Sequence, residues 1–200
     1  YYLKKKLGSS ELVQPNPAIG QFLQILDDEV KHSNQIISDL LAFSRVAPPS
    51  LTPTSIADVI EVTLFRLEQT DGVHIVNDLE PDLPEVPADG GQLQRVFMNL
   101  ATNAVDAMPD GGRLTVSARR ANGFVEAIFV DTGAGIGAED MNKVFEPLFT
   151  TKSSGTGLGL FVCQQIMSNH GGTIDVASKP GVGSTFSVRL PWNGDQPEEA

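Results

Sequence analysis

The sequence is poor in cysteine, in basic residues and in long apolar runs, and each shortage narrows what this 200-residue chain can be. A single cysteine, Cys163, excludes a disulfide framework, and its place in an apolar helical stretch predicts a buried thiol in a reducing cytoplasm. No run of about 18 apolar residues and no apolar signal segment occurs, so we expect this chain neither to span nor to cross a membrane. Only 14 Lys and Arg residues face 25 Asp and Glu residues, and the net charge of −11 argues against a nucleic-acid or anionic-membrane surface.

The residues that are present fit a soluble globular protein, with 40% hydrophobic and 20% charged residues. About 150 residues suffice for a sizeable core, so we expect one globular domain with an appendage. An acidic surface does not exclude a small triphosphate, because a few backbone amides, one metal ion and one lysine are enough to hold it.

Glycines are concentrated between Val130 and Leu160. This stretch contains V-D-T-G-A-G-I-G at 130–137, F-E-P-L-F-T-T-K at 145–152 and G-T-G-L-G-L at 155–160. An apolar strand pattern ends at Asp131, and the glycines after it permit positive φ and a close backbone approach to a flat or charged ligand. The last glycines open an apolar helical run, so free amides at a helix N-terminus point towards an anion. A carboxylate for a base and amides for phosphates together predict a nucleotide site.

A polar arc accompanies the predicted helix at 89–108. Arg95, Asn99, Asn103 and Asp106 follow one another at four, four and three residues, which places them on one narrow face beside an apolar stripe. Two asparagines one turn apart at such a place indicate a binding function. The alternative is an asparagine pair that only caps or bridges buried backbone.

Glycine-rich turns alone are weak signals, and the order of the motifs is more specific. D-x-G-x-G-I-G, then F-E-P-L-F-T-T-K, then G-T-G-L-G-L, preceded by N-L-A-T-N-A-V-D-A, resembles the ATP-binding core of sensor histidine kinases, within the wider family shared with gyrase-type ATPases. The resemblance runs from about residue 18 to residue 191. Neither a Walker P-loop nor a Rossmann fingerprint is present. The resemblance implies a two-layer α/β sandwich, in which three helices cover one face of a mixed sheet of about five strands.

The resemblance also implies roles for individual residues. The Asp131 carboxylate binds the adenine amino group, Asn103 holds Mg²⁺, and Lys152 reaches the β- or γ-phosphate unless it is only a solvated loop lysine. Asn99 stands where gyrase-type ATPases carry a water-activating glutamate, and since an amide cannot take a proton, phosphoryl transfer to a protein is favoured over hydrolysis. Thr185, in the last glycine box, is expected near the adenine. The full predicted ATP site is Asn99, Asn103, Asp106, Asp131, Gly133, Gly135, Ile136, Gly137, Lys152, Gly155, Thr156, Gly157, Leu158, Gly159, Leu160 and Thr185.

The N-terminal part has a coiled-coil pattern. Apolar or small residues recur at spacings that alternate between four and three residues: Ile19, Leu23, Leu26, Val30, Ser33, Ile37, Leu40 and Ser44. This pattern predicts a helix that self-associates, and the alternative is a helix that packs on its own domain. The resemblance implies a dimerisation hairpin at 1–49 whose first helix, with the phosphoacceptor histidine, is missing except for a remnant at 1–7. His32 is expected to be solvated. We expect the ATP-binding domain at 50–192 and a disordered tail at 193–200.

The other elements follow from local patterns. Helices are predicted at 55–68 and 159–169, strands at 73–79, 173–178 and 184–191, and a hairpin at 113–131 with Ala121, Asn122 and Gly123 between its strands. Residues 138–152 are predicted to form a lid that Phe145 and Phe149 anchor. His74 is interpreted as structural and His170 as a helix cap.

The resemblance implies an ATP-dependent protein-histidine kinase of a two-component system, of the nitrogen-regulatory or a related branch. It binds Mg·ATP and transfers the γ-phosphoryl group to a histidine of the dimerisation helix, from which an aspartate of a response regulator receives it. This chain is expected to form homodimers in the cytoplasm and to bind ATP without phosphorylating itself. Two rivals are an ATP-hydrolysing machine, which would need a glutamate at position 99 and further domains, and a non-catalytic dimerising scaffold.

Overall fold

The computed structural model describes residues 19–23, 25–26, 30, 48–67, 72–152 and 155–192. Residues 19–23, 25–26 and 30 are helical, in agreement with the predicted coiled-coil helix, and the seam residues Leu26 and Val30 are exposed. The predicted remainder of that seam, the remnant at 1–7, His32 and the predicted tail at 193–200 lie outside the described residues. None of the helices in the described ranges combines the length and apolar composition that crossing a membrane requires.

Between residues 48 and 192 the described chain forms three helices and seven strands. In chain order they are β1 (Thr52–Thr54), α1 (Ile56–Leu67), β2 (Val73–Leu79), β3 (Val86–Ala88), α2 (Gly90–Asp106), β4 (Gly112–Ala121), β5 (Phe124–Asp131), α3 (Gly159–Asn169), β6 (Thr173–Lys179) and β7 (Gly183–Pro191). The predicted helices and main strands agree with these bounds to within a few residues.

Five strands form the main sheet in the order β2-β4-β5-β7-β6. β2 runs parallel to β4, with Val73 opposite Gly112, whereas the other neighbouring pairs are antiparallel. The mixed sheet and its helices confirm the predicted two-layer α/β sandwich. A second ladder, β1 with β3, was not predicted, because strands of three residues that contain Pro53 and Pro87 show no alternation long enough to recognise.

The core lies between the helical layer and one face of the sheet. Helix α2 packs against both α1 and α3, and its apolar stripe is fully buried against β4 and β5. The rings of Phe97 on α2 and Phe129 on β5 have centroids 5.6 Å apart. Because this stripe fixes the rotation of α2, it also fixes the direction of the polar arc beside it.

The β4–β5 hairpin turns through two residues. Asn122 has φ 43° and Gly123 has φ 82°, while Ala121 already pairs with Phe124. Positive φ at both central positions is the geometry that matches the twist of a two-residue hairpin, and Asn-Gly is the sequence that favours it. The hairpin therefore begins its turn one residue later than predicted.

Asp89 and His170 join the ends of two helices. The Asp89 carboxylate caps α2 by accepting from the Gln92 amide (3.0 Å) and also accepts from the Ser50 amide (3.2 Å). The hydrogen bond that the Gln92 amide donates is the main reason why the pKa of Asp89 is lowered. The Asp89 amide donates to Nε2 of His170 (3.0 Å), whose Nδ1 lies 2.8 Å from the Ile166 carbonyl oxygen at the end of α3. The predicted cap at His170 is confirmed, with the ring proton placed on Nδ1 by its partners.

The other face of the sheet carries a buried carboxylate that sequence analysis did not detect. Glu126 is 4% exposed. Its Oε2 accepts from Nε (3.0 Å) and Nη2 (2.8 Å) of Arg119, and its Oε1 accepts from Nε of Arg189 (2.8 Å). These hydrogen bonds, that of Arg119 first, lower the pKa of Glu126.

Candidate functional site

Asp131 is the last residue of β5, the middle strand of the sheet, and it opens into the main cavity. It is 5% exposed, and its Oδ1 accepts from the Gly133 amide (2.8 Å) and the Ser184 amide (3.2 Å). Both bonds go to the same oxygen, so Oδ2 is the atom that can accept from a ligand. The carboxylate is thus fixed in place before any ligand arrives.

The loop after Asp131 is held against its neighbours by main-chain bonds. The Ala134 amide donates to the Ala107 carbonyl (3.0 Å), the Ile136 amide donates to Oγ of Ser178 (2.8 Å), and Gly181 donates to the Ala134 carbonyl (2.8 Å). These contacts join the loop to the end of α2 and to the β6–β7 turn. The wall of the cavity next to Asp131 is therefore rigid backbone.

Three glycines of the predicted boxes have no room for a side chain. Gly135 (φ 72°) and Gly157 (φ 67°) have left-handed backbones, and a Cβ would collide with Lys179 and Leu148, respectively. At Gly133 a Cβ would collide with the backbone of Ala107. The glycines are required for close packing of the two loops, as well as for backbone exposed to a ligand.

The second glycine cluster leads into α3, which starts at Gly159. The first turn of this helix has no side-chain cap among the described residues, and Gly159 and Leu160 line the cavity. Uncapped amides at a helix N-terminus attract anions. The part of the cavity that Gly159 and Leu160 line is thus suited to phosphate groups.

The polar arc of α2 borders the same cavity and forms a chain of hydrogen bonds. Nδ2 of Asn103 donates to Oδ1 of Asn99 (2.9 Å). Nζ of Lys152 donates to Oδ1 of Asn103 (2.8 Å) and to Oδ2 of Asp106 (2.9 Å). Sequence analysis placed these side chains at one site but did not predict their direct contact, because Lys152 and α2 are far apart in the chain.

The cavity measures about 820 Å³, which is large enough for a nucleotide. Twelve predicted site residues line it: Asn99, Asn103, Asp106, Asp131, Gly135, Ile136, Lys152, Gly155, Thr156, Gly157, Gly159 and Leu160. Phe149, one of the predicted lid anchors, lines it as well, whereas the other anchor, Phe145, packs against the core.

Four predicted residues do not line the cavity: Gly133, Gly137, Leu158 and Thr185. Gly133 acts through its amide on Asp131, and Leu158 is buried before α3. Thr185 pairs with Val130, and strand alternation turns it towards the opposite face of the sheet, while its neighbours Ser184 and Phe186 line the cavity. Ser184 was missed, although the parity of β7 relative to Asp131 could have identified it.

Comparisons with known proteins agree with this geometry. The sequence profile described as "Histidine kinase-, DNA gyrase B-, and HSP90-like ATPase" matches residues 88–194. Sensor histidine kinase ZraS of Klebsiella oxytoca is 36% identical over 190 residues, which cover 92% of this chain and 41% of that protein. Signal transduction histidine-protein kinase AtoS of Escherichia coli (strain K12) is 37% identical over 183 residues, which cover 89% of this chain and 30% of that protein. The chain thus spans less than half the length of these relatives.

A solved structure has the same fold. The catalytic domain of histidine kinase ThkA aligns with a TM-score of 0.65 and 27% sequence identity, and the alignment covers 70% of this chain and 95% of that chain. The matched part of this chain corresponds in extent to the sandwich with its cavity.

Proposed function

Because this chain belongs to the family of histidine kinase-, DNA gyrase B- and HSP90-like ATPases, as the ATPase domain of a two-component sensor histidine kinase, we propose that its cavity binds ATP with Mg²⁺ for phosphoryl transfer to a protein histidine. One observation carries the proposal. A buried carboxylate and helix N-terminal amides line the same cavity, with Asn103 and Lys152 on its wall as well. This set of groups suits a base and phosphates.

Asp131 selects the base in this proposal. An ionised carboxylate only accepts hydrogen bonds, so its Oδ2 suits the exocyclic amino group of adenine and disfavours a carbonyl oxygen at the same position. Since the Gly133 and Ser184 amides already hold Oδ1, the ligand meets a carboxylate whose direction is set. Such preorganisation strengthens binding, because little ordering is required when the ligand arrives.

Asn103 and Asp106 would hold the magnesium ion. Both offer hard oxygen ligands, and no group of three or more His, Cys, Asp or Glu residues in the described part of the chain could bind a metal without a ligand's help. A Mg²⁺ ion here would take its remaining ligands from phosphates and water. When bound, it would neutralise charge on the phosphates.

Asn99 supports transfer over hydrolysis. Its side-chain amide lies on the cavity and cannot take a proton from water, so this position provides no general base. In the proposed reaction the bond between the γ-phosphorus and the bridging oxygen breaks, a bond from phosphorus to a histidine nitrogen forms, and ADP leaves. The protein contributes position and charge: Lys152 and the loop amides bind the phosphates.

We propose that the acceptor histidine lies outside this chain. Of the two described histidines, His170 is buried, with one ring nitrogen at Ile166 and the other at Asp89, and His74 lies on the edge strand β2. His32, outside the described residues, is not followed by the acidic and then basic residues of an acceptor motif. The next acceptor would be an aspartate of a response regulator, and this chain alone would bind ATP without becoming labelled.

The test is titration with a slowly hydrolysed ATP analogue, with and without Mg²⁺, of the wild-type chain and an Asp131→Asn variant. The variant keeps an acceptor for the two amides but presents an NH₂ or a weaker acceptor to adenine, so we expect the dissociation constant to rise about 10-fold to 150-fold. Asp175→Asn is the matched control, because it removes an exposed carboxylate that pairs with Arg189 on the opposite face. We expect wild type and Asp175→Asn to bind the analogue saturably and more tightly with Mg²⁺, and Asp131→Asn to bind it more weakly. If wild type binds no analogue, a non-catalytic scaffold is favoured instead.

A further inference from the structure

The ammonium group of Lys152 lies at the oxygen that the proposed metal ion would use. It donates to Oδ1 of Asn103 at 2.8 Å and to Oδ2 of Asp106 at 2.9 Å. The same two side chains are the oxygen ligands that α2 offers on this part of the cavity. A lysine of the lid segment thus fills, with a single positive charge, a place suited to a divalent cation.

We propose that Lys152 is a latch that holds the lid segment on α2 in the nucleotide-free protein and is released when metal and nucleotide bind. The release step rests on the proposed function, since it requires Mg²⁺ to use Asn103. The latch itself is a property of the protein without ligands.

The contact and the metal exclude each other because the Asn103 amide is oriented from both ends. Its Nδ2 donates to Asn99, so its Oδ1 is turned towards Lys152 and cannot be exchanged with Nδ2 without loss of both bonds. Mg²⁺ binds oxygen at about 2.1 Å and would lie beside the ammonium if both used this atom. Two cations in contact at one oxygen atom repel each other, so the ammonium leaves when the metal takes this oxygen.

The backbone around Lys152 transmits this exchange to the glycine loop. The Lys152 amide donates to Oγ1 of Thr150 (3.1 Å), and the Gly155 amide donates to the Lys152 carbonyl (3.2 Å). The Leu148 amide donates to the Gly157 carbonyl (2.9 Å). The lysine and the loop that faces the phosphates are therefore parts of one hydrogen-bonded unit, and displacement of the ammonium moves the loop as well.

The latch is weak enough to be opened by a ligand. The side chains of Lys152 and Asp106 are 38% and 57% exposed, and ion pairs this exposed contribute little because water screens them. A buried ion pair would hold the lid shut. The observed exposure suits a contact that orders the lid between binding events without blocking the cavity.

Millisecond hydrogen exchange of the Leu148 and Gly155 amides, which report opening of this unit, tests the latch in the chain without nucleotide. Lys152→Gln, Asp106→Asn and the double variant are compared with wild type. Lys152→Gln, which removes both contacts, is expected to exchange about twofold to fivefold faster; Asp106→Asn, which leaves the bond to Asn103, is expected to exchange less fast than that, and the double variant no faster than Lys152→Gln. Lys179→Gln is the matched control, because it removes an exposed lysine at the end of strand β6; it is expected to exchange like wild type.

The second arm repeats the four-protein cycle with saturating Mg²⁺ and AMPPNP. Release predicts that the non-additivity between Lys152→Gln and Asp106→Asn disappears in this state. Single variants that exchange like wild type without nucleotide would overturn the latch, and non-additivity of unchanged size with Mg²⁺ and AMPPNP would overturn its release. If wild type does not bind AMPPNP at all, the proposed function and the release step fail together, while the first arm still decides whether the latch exists.

Discussion

Glu126 lies on the face of the sheet away from the cavity, yet it is buried as deeply as many core residues. Arg119 and Arg189 hold it from both sides, and both guanidinium groups stay half-exposed. A buried carboxylate is stable only when its charge is paired and its oxygens are hydrogen-bonded, and here three N–H donors provide both. The site also explains why the pKa of Arg189 is raised, chiefly by its hydrogen bond to Glu126.

This arrangement predicts a defined acid sensitivity. The pKa of Glu126 is below its ordinary value of 4.5 in the folded protein, so its contribution to the free energy of unfolding is complete above that value and is lost as pH falls through the folded pKa. Glu126→Gln should lower the free energy of unfolding by about 1–2 kcal/mol at pH 7, and the gap to wild type should narrow as the pH falls below 4.5 and through the folded pKa. Urea unfolding across this pH range measures it, with Asp78→Asn on the edge strand β2 as the exposed control; a gap that is constant with pH would contradict the assignment.

At the scale of residues, sequence reasoning succeeded where a motif and an element coincide. Asp131 follows a recognisable strand, and Asn99 and Asn103 lie on a recognisable helix, so their meeting at one cavity was predictable. Ser184 and Glu126 were not found, because their roles depend on which strands are neighbours. Thr185 was assigned by resemblance alone, and strand parity places it on the other face.

At the scale of elements, the hydrogen bond from the Asp89 amide to Nε2 of His170 joins the start of α2 to the end of α3. His170→Ala removes the acceptor of a part-buried amide and leaves a small cavity, so we expect a loss of about 2 kcal/mol in the free energy of unfolding. His74→Ala, on the exposed edge strand β2, is the matched control and should stay within about 0.5 kcal/mol of wild type. Chemical denaturation of wild type and the two variants measures these losses. Equal losses in the two variants would show that the hydrogen bond between Asp89 and His170 does not stabilise the fold.

The elements that could be predicted are those with a periodic pattern over many residues or with a turn sequence of known geometry. Helix α2 has a stripe of buried residues over its whole length, and the β4–β5 hairpin has an Asn-Gly turn between alternating strands. The β1–β3 ladder offers neither signal, and the parallel pairing of β2 with β4 joins segments 39 residues apart, Val73 with Gly112. Pairing over such a separation is decided by the whole core and cannot be inferred from a local pattern.

At the scale of the whole molecule, the described core supports a domain boundary near residue 50. Every residue in the described core cluster lies between Ile56 and Leu190. We therefore predict that residues 50–192 alone fold, unfold in one cooperative transition and stay monomeric, whereas the full chain forms a dimer through its N-terminal helix. Light scattering and thermal unfolding of both chains test this. A shorter chain that does not fold would place the boundary elsewhere, and a monomeric full chain would make the predicted coiled-coil seam wrong.

Much of the architecture could be predicted from the sequence, but the contacts between side chains within the site could not. The motifs indicated which residues meet, since the family order of glycines, asparagines and lysine is specific. That Lys152 bonds to Asn103, the proposed metal ligand, became visible only in three dimensions. Such a contact depends on where a loop folds back, and no spacing of residues encodes that distance.

The glycines around the cavity also limit which substitutions the site can tolerate during evolution. Gly133, Gly135 and Gly157 each lie so close to neighbouring backbone that any side chain would collide with it. A competitive inhibitor bound by the main chain of these loops would therefore meet the same surface in almost every viable variant, because substitutions elsewhere leave the backbone donors in place. Resistance would have to arise at the few side chains of the cavity, which ATP binding in the proposed function needs as well.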